Sequence, residues 1–262
     1  MAALPSLVDH LASVGEWTLF AGRGLLSSVR SLFKPGWWAK PFFDVLIGGL
    51  PLAVVAGLSV GLVVWIHTRG VLARTSPGAV EYLPTFLAAA VLLELAPIAA
   101  GLIIAARTGA SLGAELSSMK LSEQVDALEL IGVSPMARLV GPRVLACILA
   151  APLLHILVSL LAIGGGFLAE SLSGSANWLR YRSAVLSELQ FNEVLFAGLK
   201  TIVFGALVGV TGCFFGMKAS GGSEGVGQAA TRSVVASCLL VLLADVLLVG
   251  MIHLVFGAKN RD

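Results

Sequence analysis

Five long apolar stretches constrain the fold of this 262-residue chain more than any other feature of its sequence. Each stretch is longer than 20 residues and carries at most one Asp, Glu, Lys or Arg; the five cover residues 45–66, 82–106, 144–169, 194–217 and 233–258. An α-helix of about 20 apolar residues crosses the hydrocarbon core of a bilayer. The sequence therefore predicts an all-α integral membrane protein with five transmembrane helices.

The composition agrees with solvation by lipid and excludes several classes of function. Apolar residues make up 57% of the chain and Asp, Glu, Lys and Arg only 12%, whereas a soluble domain carries about 25% charged residues. A net charge of +2 without a Lys/Arg cluster gives no basis for binding nucleic acid. Cys147, Cys213 and Cys238 lie far apart in apolar stretches, so neither a disulfide nor a metal site is predicted.

The basic residues between the apolar stretches predict the orientation of the chain, because cytoplasmic connections of membrane proteins are enriched in Lys and Arg. Ten basic residues fall on the side of the N-terminus and six on the opposite side. This difference predicts a cytoplasmic N-terminus and a C-terminus outside. The ten are Arg23, Arg30, Lys34, Lys40, Arg107, Lys120, Arg138, Arg143, Lys218 and Arg232; the six are Arg69, Arg74, Arg180, Arg182, Lys259 and Arg261.

Residues 1–40 predict a separate region, an amphipathic helix that lies in the membrane interface. Side chains recur there at helical spacing in two runs, Leu7, Leu11, Val14 and Thr18, then Leu25, Val29 and Phe33. Trp17, Trp37 and Trp38 suit the depth of the lipid headgroups, and Pro35 ends the helix. Asp9 and Glu16 are incompatible with the apolar core of a secretory signal. An ordinary soluble amphipathic helix is the alternative.

A short helix within residues 119–132 is predicted in the connection between the second and third apolar stretches. Ser122 can cap it, and Glu123 and Asp126 favour its positive N-terminal end. Leu121, Val125 and Leu128 share one face of this helix, which Gly132 and Pro135 end. Such an amphipathic helix would lie against the cytoplasmic face of the membrane region, and a plain connecting helix is the alternative.

Charged residues inside the apolar stretches are expensive in lipid and usually face a cavity or a partner. Glu94 either lines a cavity or is satisfied structurally by a neighbouring helix. Lys200 either extends to the membrane surface or pairs with Glu94 or a lipid phosphate, and Asp245 needs a partner, for which Arg107, Lys200 or a polar neighbour would serve. His155 is interpreted as a helix-packing residue.

Signatures of catalysis are missing from the sequence. No nucleophile lies beside a base in a recognisable pattern. The glycine-rich stretch 221–227 lacks the lysine of a phosphate-binding loop, so it is predicted to be a flexible connection rather than an ATP site.

Several short motifs resemble the MlaE/YrbE permeases, the transmembrane subunits of ABC transporters that work with MCE-domain proteins. The resemblance covers roughly residues 40–258 in the same order. Its motifs are ELAP at 94–97, ARTGA at 106–110, AEL at 114–116, MK at 119–120, EQVDAL at 123–128, PRVLA at 142–146, GVG at 225–227, ATRSVV at 230–235, and Asp245. Leu93 departs from the pattern, because family members often carry arginine immediately before this glutamate.

The resemblance implies a fold, a function and a set of partners. Residues 41–262 would form the five-helix permease domain of a homodimer in the bacterial inner membrane, which moves phospholipid or a related lipid between that membrane and the outer envelope. A separate ATPase would bind ATP and magnesium and dock on the 122–131 helix. An MCE-domain protein would sit on the periplasmic side, and a small STAS-type subunit can accompany the complex. The implied ATPase-coupling residues are Ser122, Glu123, Gln124, Asp126, Ala127 and Leu128.

Topology and the resemblance together also suggest where a lipid chain would lie. The candidates are in the outer half of the first apolar stretch and around Glu94 in the second: Leu62, Trp65, Ile66, Leu93, Glu94, Pro97 and Ile98.

The main alternative is an ion- or proton-coupled secondary transporter that uses Glu94, Lys200 and Asp245 as a relay. Five apolar stretches without an internal inverted repeat argue against it. A membrane enzyme and a structural anchor are further alternatives, although the sequence has no cluster of catalytic polar residues for the former.

Overall fold

The structure, a computed structural model, describes residues 7–75, 77–174, 177–187 and 190–257. Helices account for nearly all of these residues, and no β-strand occurs among them. The helices are α1 (Leu7–Leu32), α2 (Pro35–Thr75), α3 (Leu83–Ala90), α4 (Ala96–Ile104), α5 (Ala110–Leu121), α6 (Gln124–Leu130), α7 (Gly141–Leu172), α8 (Trp178–Ser187), α9 (Phe191–Met217) and α10 (Gly222–Gly257).

Within the part of the chain that the structure describes, five helical segments are long and apolar enough to cross a membrane, as predicted. They are Pro35–Arg74, Gly78–Leu121, Met136–Leu172, Phe191–Met217 and Gly222–Ile252. Each is longer than its apolar stretch, and α2 reaches 41 residues. The additional turns contain aromatic, glycine and charged residues and continue the helices beyond the hydrocarbon core. Hydropathy alone does not predict a helix there. The glycine-rich stretch 221–227 was wrongly predicted to be a loop, because α10 begins at Gly222.

Three π-helical segments occur among the described residues: Val91–Leu95 and Ala105–Gly109 interrupt the second transmembrane segment, and Met136–Val140 begins the third. A π-segment frees a backbone carbonyl from the regular α-helical ladder, and a neighbouring helix can satisfy it. Each of the three has such a partner from another helix. His155 Nε2 lies 3.3 Å from Leu92 O, Ser233 Oγ donates to Gly109 O at 2.7 Å, and Ser27 Oγ donates to Met136 O at 2.9 Å.

Glycines allow the transmembrane helices to approach closely. A Cβ atom at Gly61 would lie 1.9 Å from the Ala162 carbonyl oxygen, and one at Gly205 would lie 2.4 Å from the Cys147 carbonyl oxygen. These glycines sit where α2 and α9 cross α7, so α7 is the central helix of the bundle. Close backbone packing of this kind is how helices associate in lipid, where no hydrophobic effect drives them together.

Helix α1 packs on the bundle through small and polar residues and through Trp17 and Phe20, rather than through its two predicted apolar runs. Gly24, Ser27 and Ser31 are buried, whereas Val14, Leu25, Val29 and Phe33 are exposed. Thr18 is exposed as well, and the side chains of Leu7 and Leu11 lie outside the described residues. The predicted helix is confirmed; its position in the membrane interface stays a prediction, supported by the outward apolar face.

Helix α8 was not predicted. It lies in the connection between the third and fourth transmembrane segments, and the side-chain oxygen of Asn177 accepts hydrogen bonds from the backbone N–H groups of Leu179 and Arg180 at its first turn. Tyr181 and Val185 are one turn apart and pack against Ala88. The N-cap asparagine and this i,i+4 pair were the signals available in the sequence.

Candidate functional site

Three charged side chains meet inside the membrane region, on three different helical segments. The Lys200 ammonium of α9 donates to Glu94 Oε2 at 2.8 Å and to Asp245 Oδ1 at 3.1 Å. The cation therefore bridges the π-segment Val91–Leu95 and α10. We call these three residues the ion cluster.

Burial differs sharply among the members of the ion cluster. The side chain of Lys200 is 3% exposed and that of Asp245 10%, whereas that of Glu94 is 43% exposed. Lys200 therefore does not extend to the membrane surface, and of the alternatives left open by the sequence the structure shows the pairing with Glu94. Lys200 also serves as the partner of Asp245. With two carboxylates and one ammonium the cluster has a formal charge of −1, and its only well-exposed carboxylate belongs to Glu94.

The local helix geometry presents Glu94 to the surface of the bundle. Glu94 lies in a π-segment whose Leu92 carbonyl is held by His155 of α7, in agreement with the packing role predicted for this histidine. Pro97 follows, buried, at the start of α4. Although Leu93 replaces the arginine often found before this glutamate, Lys200 supplies the cation from another helix.

Arg107 takes no part in the ion cluster. It lies 13 residues beyond Glu94 on the same segment, a separation of roughly 20 Å along a helix. Its guanidinium packs where a Cβ atom of Gly48 would lie.

The predicted lipid-cavity residues lie at two different depths. Gly61, next to Leu62, packs on Ala162 of α7, whereas Leu92, next to Leu93, meets His155. Seven residues separate those two positions on α7, which corresponds to about 10 Å.

Individual members of that set differ in accessibility. Ile66 is exposed, Pro97 is buried, and the others are partly exposed: Leu62, Trp65, Leu93, Glu94 and Ile98. Trp65 is held structurally, because its indole N–H donates to Glu170 Oε2 at 2.7 Å. Arg69 lies 3.7 Å from the same carboxylate. This cluster, whose members come from α2 and α7, was not predicted from the sequence.

Helix α6 occupies the connection where a short helix was predicted. It begins at Gln124, and Ser122 does not cap it; the Ser122 hydroxyl donates to Ser118 O at 2.8 Å. Instead Glu123 adopts a left-handed conformation with φ 60°, which turns the chain sharply between α5 and α6. Gly132, with φ 76°, ends the helix as predicted.

One side of α6 is anchored on the bundle and the other is free. Val125 is buried and Leu128 half-buried, whereas Glu123, Gln124, Asp126 and Ala127 are exposed. Lys120 of α5 fixes Asp126 through a contact of 2.5 Å. Leu130 and Ile131, which the sequence analysis did not single out, are 88% and 72% exposed. The free side of α6 thus carries acidic residues, with one aliphatic side chain protruding at its last residue and another just beyond it.

Nothing among the described residues forms a metal centre, since no group of three His, Cys, Asp or Glu side chains comes together there.

Comparison with known proteins decides the family. A sequence model described as "Permease MlaE" matches residues 39–251. The chain belongs to the MlaE permease family.

Three relatives illustrate the range of this family. A probable ABC transporter permease protein of Rickettsia typhi is 30% identical over 245 residues, which is 92% of each chain. The intermembrane phospholipid transport system permease protein MlaE of Haemophilus influenzae is 33% identical over 218 residues, 82% of this chain and 77% of the relative. The chloroplastic protein TRIGALACTOSYLDIACYLGLYCEROL 1 of Arabidopsis thaliana is 34% identical over 163 residues, 62% and 46% of the two chains.

The predicted class, a multi-pass permease of the ABC transporter type, is confirmed by these findings. The matched region contains both α6 and all three residues of the ion cluster. The two candidate sites can therefore be interpreted as parts of an MlaE-family permease.

Proposed function

We propose that this chain is the membrane subunit of an ABC transporter that moves phospholipid, or a closely related lipid, between the inner membrane and the outer envelope of a bacterium. The observation that carries the proposal is the family match over residues 39–251. In this function the chain binds and guides the lipid, whereas ATP and magnesium bind to a separate ATPase subunit.

Helix α6 is the proposed docking element for that ATPase. Its free side presents Glu123, Gln124, Asp126 and Ala127, and the half-buried Leu128 lies at its edge. Because α6 follows α5 after one sharp turn at Glu123, movement of α6 acts directly on the segment that carries Glu94. Ser122 takes part by shaping this turn rather than by contact.

The ion cluster is the proposed point where the polar headgroup of the lipid contacts the permease. Glu94 is its accessible member, and Lys200 and Asp245 hold it in position. The apolar residues around it, with Leu93 and Ile98 partly exposed, can contact an acyl chain. Leu62 and Ile66 lie about 10 Å further along the bundle, where the chain would leave the site.

The proposed assembly has two permease copies, the ATPase, a periplasmic MCE-domain protein and, in some systems, a small STAS-type subunit. The N-terminus and α6 are proposed to face the cytoplasm and the C-terminus the periplasm. The distribution of basic residues supports this orientation.

Charge reversal on α6 tests the proposal. The chain is coexpressed with the genes next to its own and purified in mild detergent, and the co-purifying proteins and lipids are identified by mass spectrometry. We expect an ATPase and phospholipid with the unchanged chain, and loss of the ATPase with the double variant Glu123→Lys/Asp126→Lys. Glu193→Lys, an exposed acidic residue at the opposite end of the bundle, is the matched control and should retain the ATPase.

Two outcomes would contradict the proposal. Retention of the ATPase by the α6 double variant would remove α6 as the docking element. Lipid movement driven by a proton gradient without any ATPase would favour a secondary transporter that uses the ion cluster.

A further inference from the structure

A groove of about 660 Å³ opens between α1, α9 and α10, at the end of the bundle that carries α6. It is separate from the ion cluster. Lys218, which lines the groove, is 18 residues beyond Lys200, a distance of about 27 Å along the helix direction. Neither the proposed docking of an ATPase nor the proposed headgroup contact uses this groove.

The lining of the groove is divided into an apolar wall and a polar mouth. Aromatic and aliphatic side chains of α1, α9 and α10 form the wall: Val14, Trp17, Phe214, Phe215, Leu239 and Leu240. The mouth contains Lys218, Gln228 and Arg232, and no Asp or Glu is among the described residues that line the groove. A cavity with this division fits an amphiphile that has an anionic head.

The two cations at the mouth differ in how well they are compensated. Lys218 forms an ion pair with the exposed Glu16 of α1. Arg232 has no carboxylate within ion-pair distance in the described part of the chain; its guanidinium donates only to Gln228 Oε1, at 3.4 Å. The nearest acidic neighbour on α10, Glu224, is two turns away and contacts Gln228 instead. Among the described residues that line the groove, Arg232 is therefore the cation without a carboxylate partner; we call it the free cation.

We propose that the groove binds one anionic phospholipid from the adjacent leaflet, with its phosphate at Arg232 and Lys218 and an acyl chain along the apolar wall. The planar guanidinium of arginine matches phosphate oxygens in a bidentate geometry. Trp17 is part of the wall, and its indole N–H donates to Thr211 Oγ1 at 3.3 Å, which holds the ring in place beside the groove.

Charge argues for a lipid rather than a second copy of the chain in this groove. An apolar helix face that filled it would bury Arg232 without a counter-ion, which is costly in a low-dielectric environment. A lipid phosphate supplies that counter-ion. The proposal depends only on insertion into a membrane, so it stands or falls independently of the transport function.

The expected affinity difference follows from the two cations. Each Lys or Arg near an anionic lipid contributes about fivefold to the binding preference. Phosphatidylglycerol should therefore be preferred to zwitterionic phosphatidylcholine by roughly fivefold or more, since Lys218 is partly compensated by Glu16.

Quenching of Trp17 fluorescence measures this preference directly. The test protein keeps Trp17, and its other tryptophans are replaced by phenylalanine: Trp37, Trp38, Trp65 and Trp178. It is reconstituted into phosphatidylcholine vesicles that contain increasing fractions of brominated phosphatidylglycerol or brominated phosphatidylcholine. Half-maximal quenching should need about a fivefold lower fraction of the anionic lipid.

Variants of Arg232 test the role of the free cation. Arg232→Gln should lower the preference by about fivefold, whereas Arg232→Lys should retain most of it. Arg30→Gln is the matched control, because Arg30 is an exposed cation at the same end of the bundle and does not line the groove. Circular dichroism and co-flotation with the vesicles check that each variant is folded and inserted.

Equal quenching by the two brominated lipids would overturn the proposal, because the groove would then be an unselective apolar surface. Absence of quenching by either lipid, with a folded protein, would also overturn it and would indicate that protein fills the groove. An unchanged preference in Arg232→Gln would refute the assignment of the phosphate to this residue.

Discussion

Replacement of Lys200 by methionine should destabilise the protein by about 3 kcal/mol, because it removes the cation from the ion cluster and leaves two carboxyl groups side by side. A hydrogen bond to a charged group contributes roughly 1.5–3 kcal/mol. We assign this full value to the contact between Lys200 and the buried Asp245. The contact to Glu94, whose side chain is 43% exposed, is discounted by about half for solvent screening.

A competing estimate gives a much smaller effect. Interhelical hydrogen bonds in membrane proteins average only about 0.6 kcal/mol, since the separated helices find other partners in lipid. We expect the larger value here, because the Lys200 side chain is 3% exposed and contacts two carboxylates at once.

Reversible unfolding in mixed micelles distinguishes the two estimates. The fraction of sodium dodecyl sulfate is raised stepwise, and helix content is followed by circular dichroism. The double variant Lys200→Met/Asp245→Leu should recover at least about half of the loss, because it removes a buried carboxylate together with its partner. Lys218→Met serves as the control; its ion pair with Glu16 is half-exposed, so it should cost less than about 1 kcal/mol. A loss below about 1 kcal/mol for Lys200→Met, or a double variant no more stable than the single one, would refute the reasoning.

Two further substitutions test the packing of the bundle with the same measurement. Gly61→Val should lower the free energy of unfolding by at least about 2 kcal/mol, because its Cβ atom would lie 1.9 Å from the Ala162 carbonyl oxygen. Gly70→Val, where no atom lies within 4 Å, should be nearly neutral. Equal losses of stability in the two variants would contradict this packing. Ser233→Ala should cost about 1 kcal/mol, since the Gly109 carbonyl loses its donor, and an unchanged stability would show that the π-segment does not need that hydrogen bond.

The transmembrane segments could be predicted from the sequence because one dominant force fixes them. Lipid excludes charged residues from about 20 consecutive positions per helix, and that exclusion is visible without any knowledge of neighbours. Hydropathy underestimates the length of α2, because the residues beyond its apolar core are helical for reasons that hydropathy does not measure.

The pairing of residues within the ion cluster could be predicted only in part from the sequence. Glu94, Lys200 and Asp245 are each conspicuous as charges in apolar stretches, so the need for partners was predictable. Which residue pairs with which depends on how the helices cross, and close contacts at Gly101 with Phe204 and Val241 set that crossing. No spacing within a single helix reveals it, and Arg107 therefore stayed an open alternative for Asp245.

The position of α6 in the sequence could be predicted, but the residue at which it begins could not. Its amphipathic pattern and Gly132 fix the face and the end of the helix. The start depends on Glu123 in a left-handed conformation, which non-glycine residues rarely adopt. Local propensity favoured Ser122 as the cap, and the sharp turn from α5 overrides that preference.

The π-segments also change how the second transmembrane segment has to be compared with other sequences. Each of them acts as one inserted residue, which rotates everything beyond it by about 100° around the helix axis. With two of them, Val91–Leu95 and Ala105–Gly109, the side of the helix that faces α7 early in the segment is not the side that faces it at the end. Heptad or 3.6-residue spacing therefore holds within Leu83–Ala90, Ala96–Ile104 and Ala110–Leu121 separately, and an alignment of relatives should admit a one-residue gap at each junction.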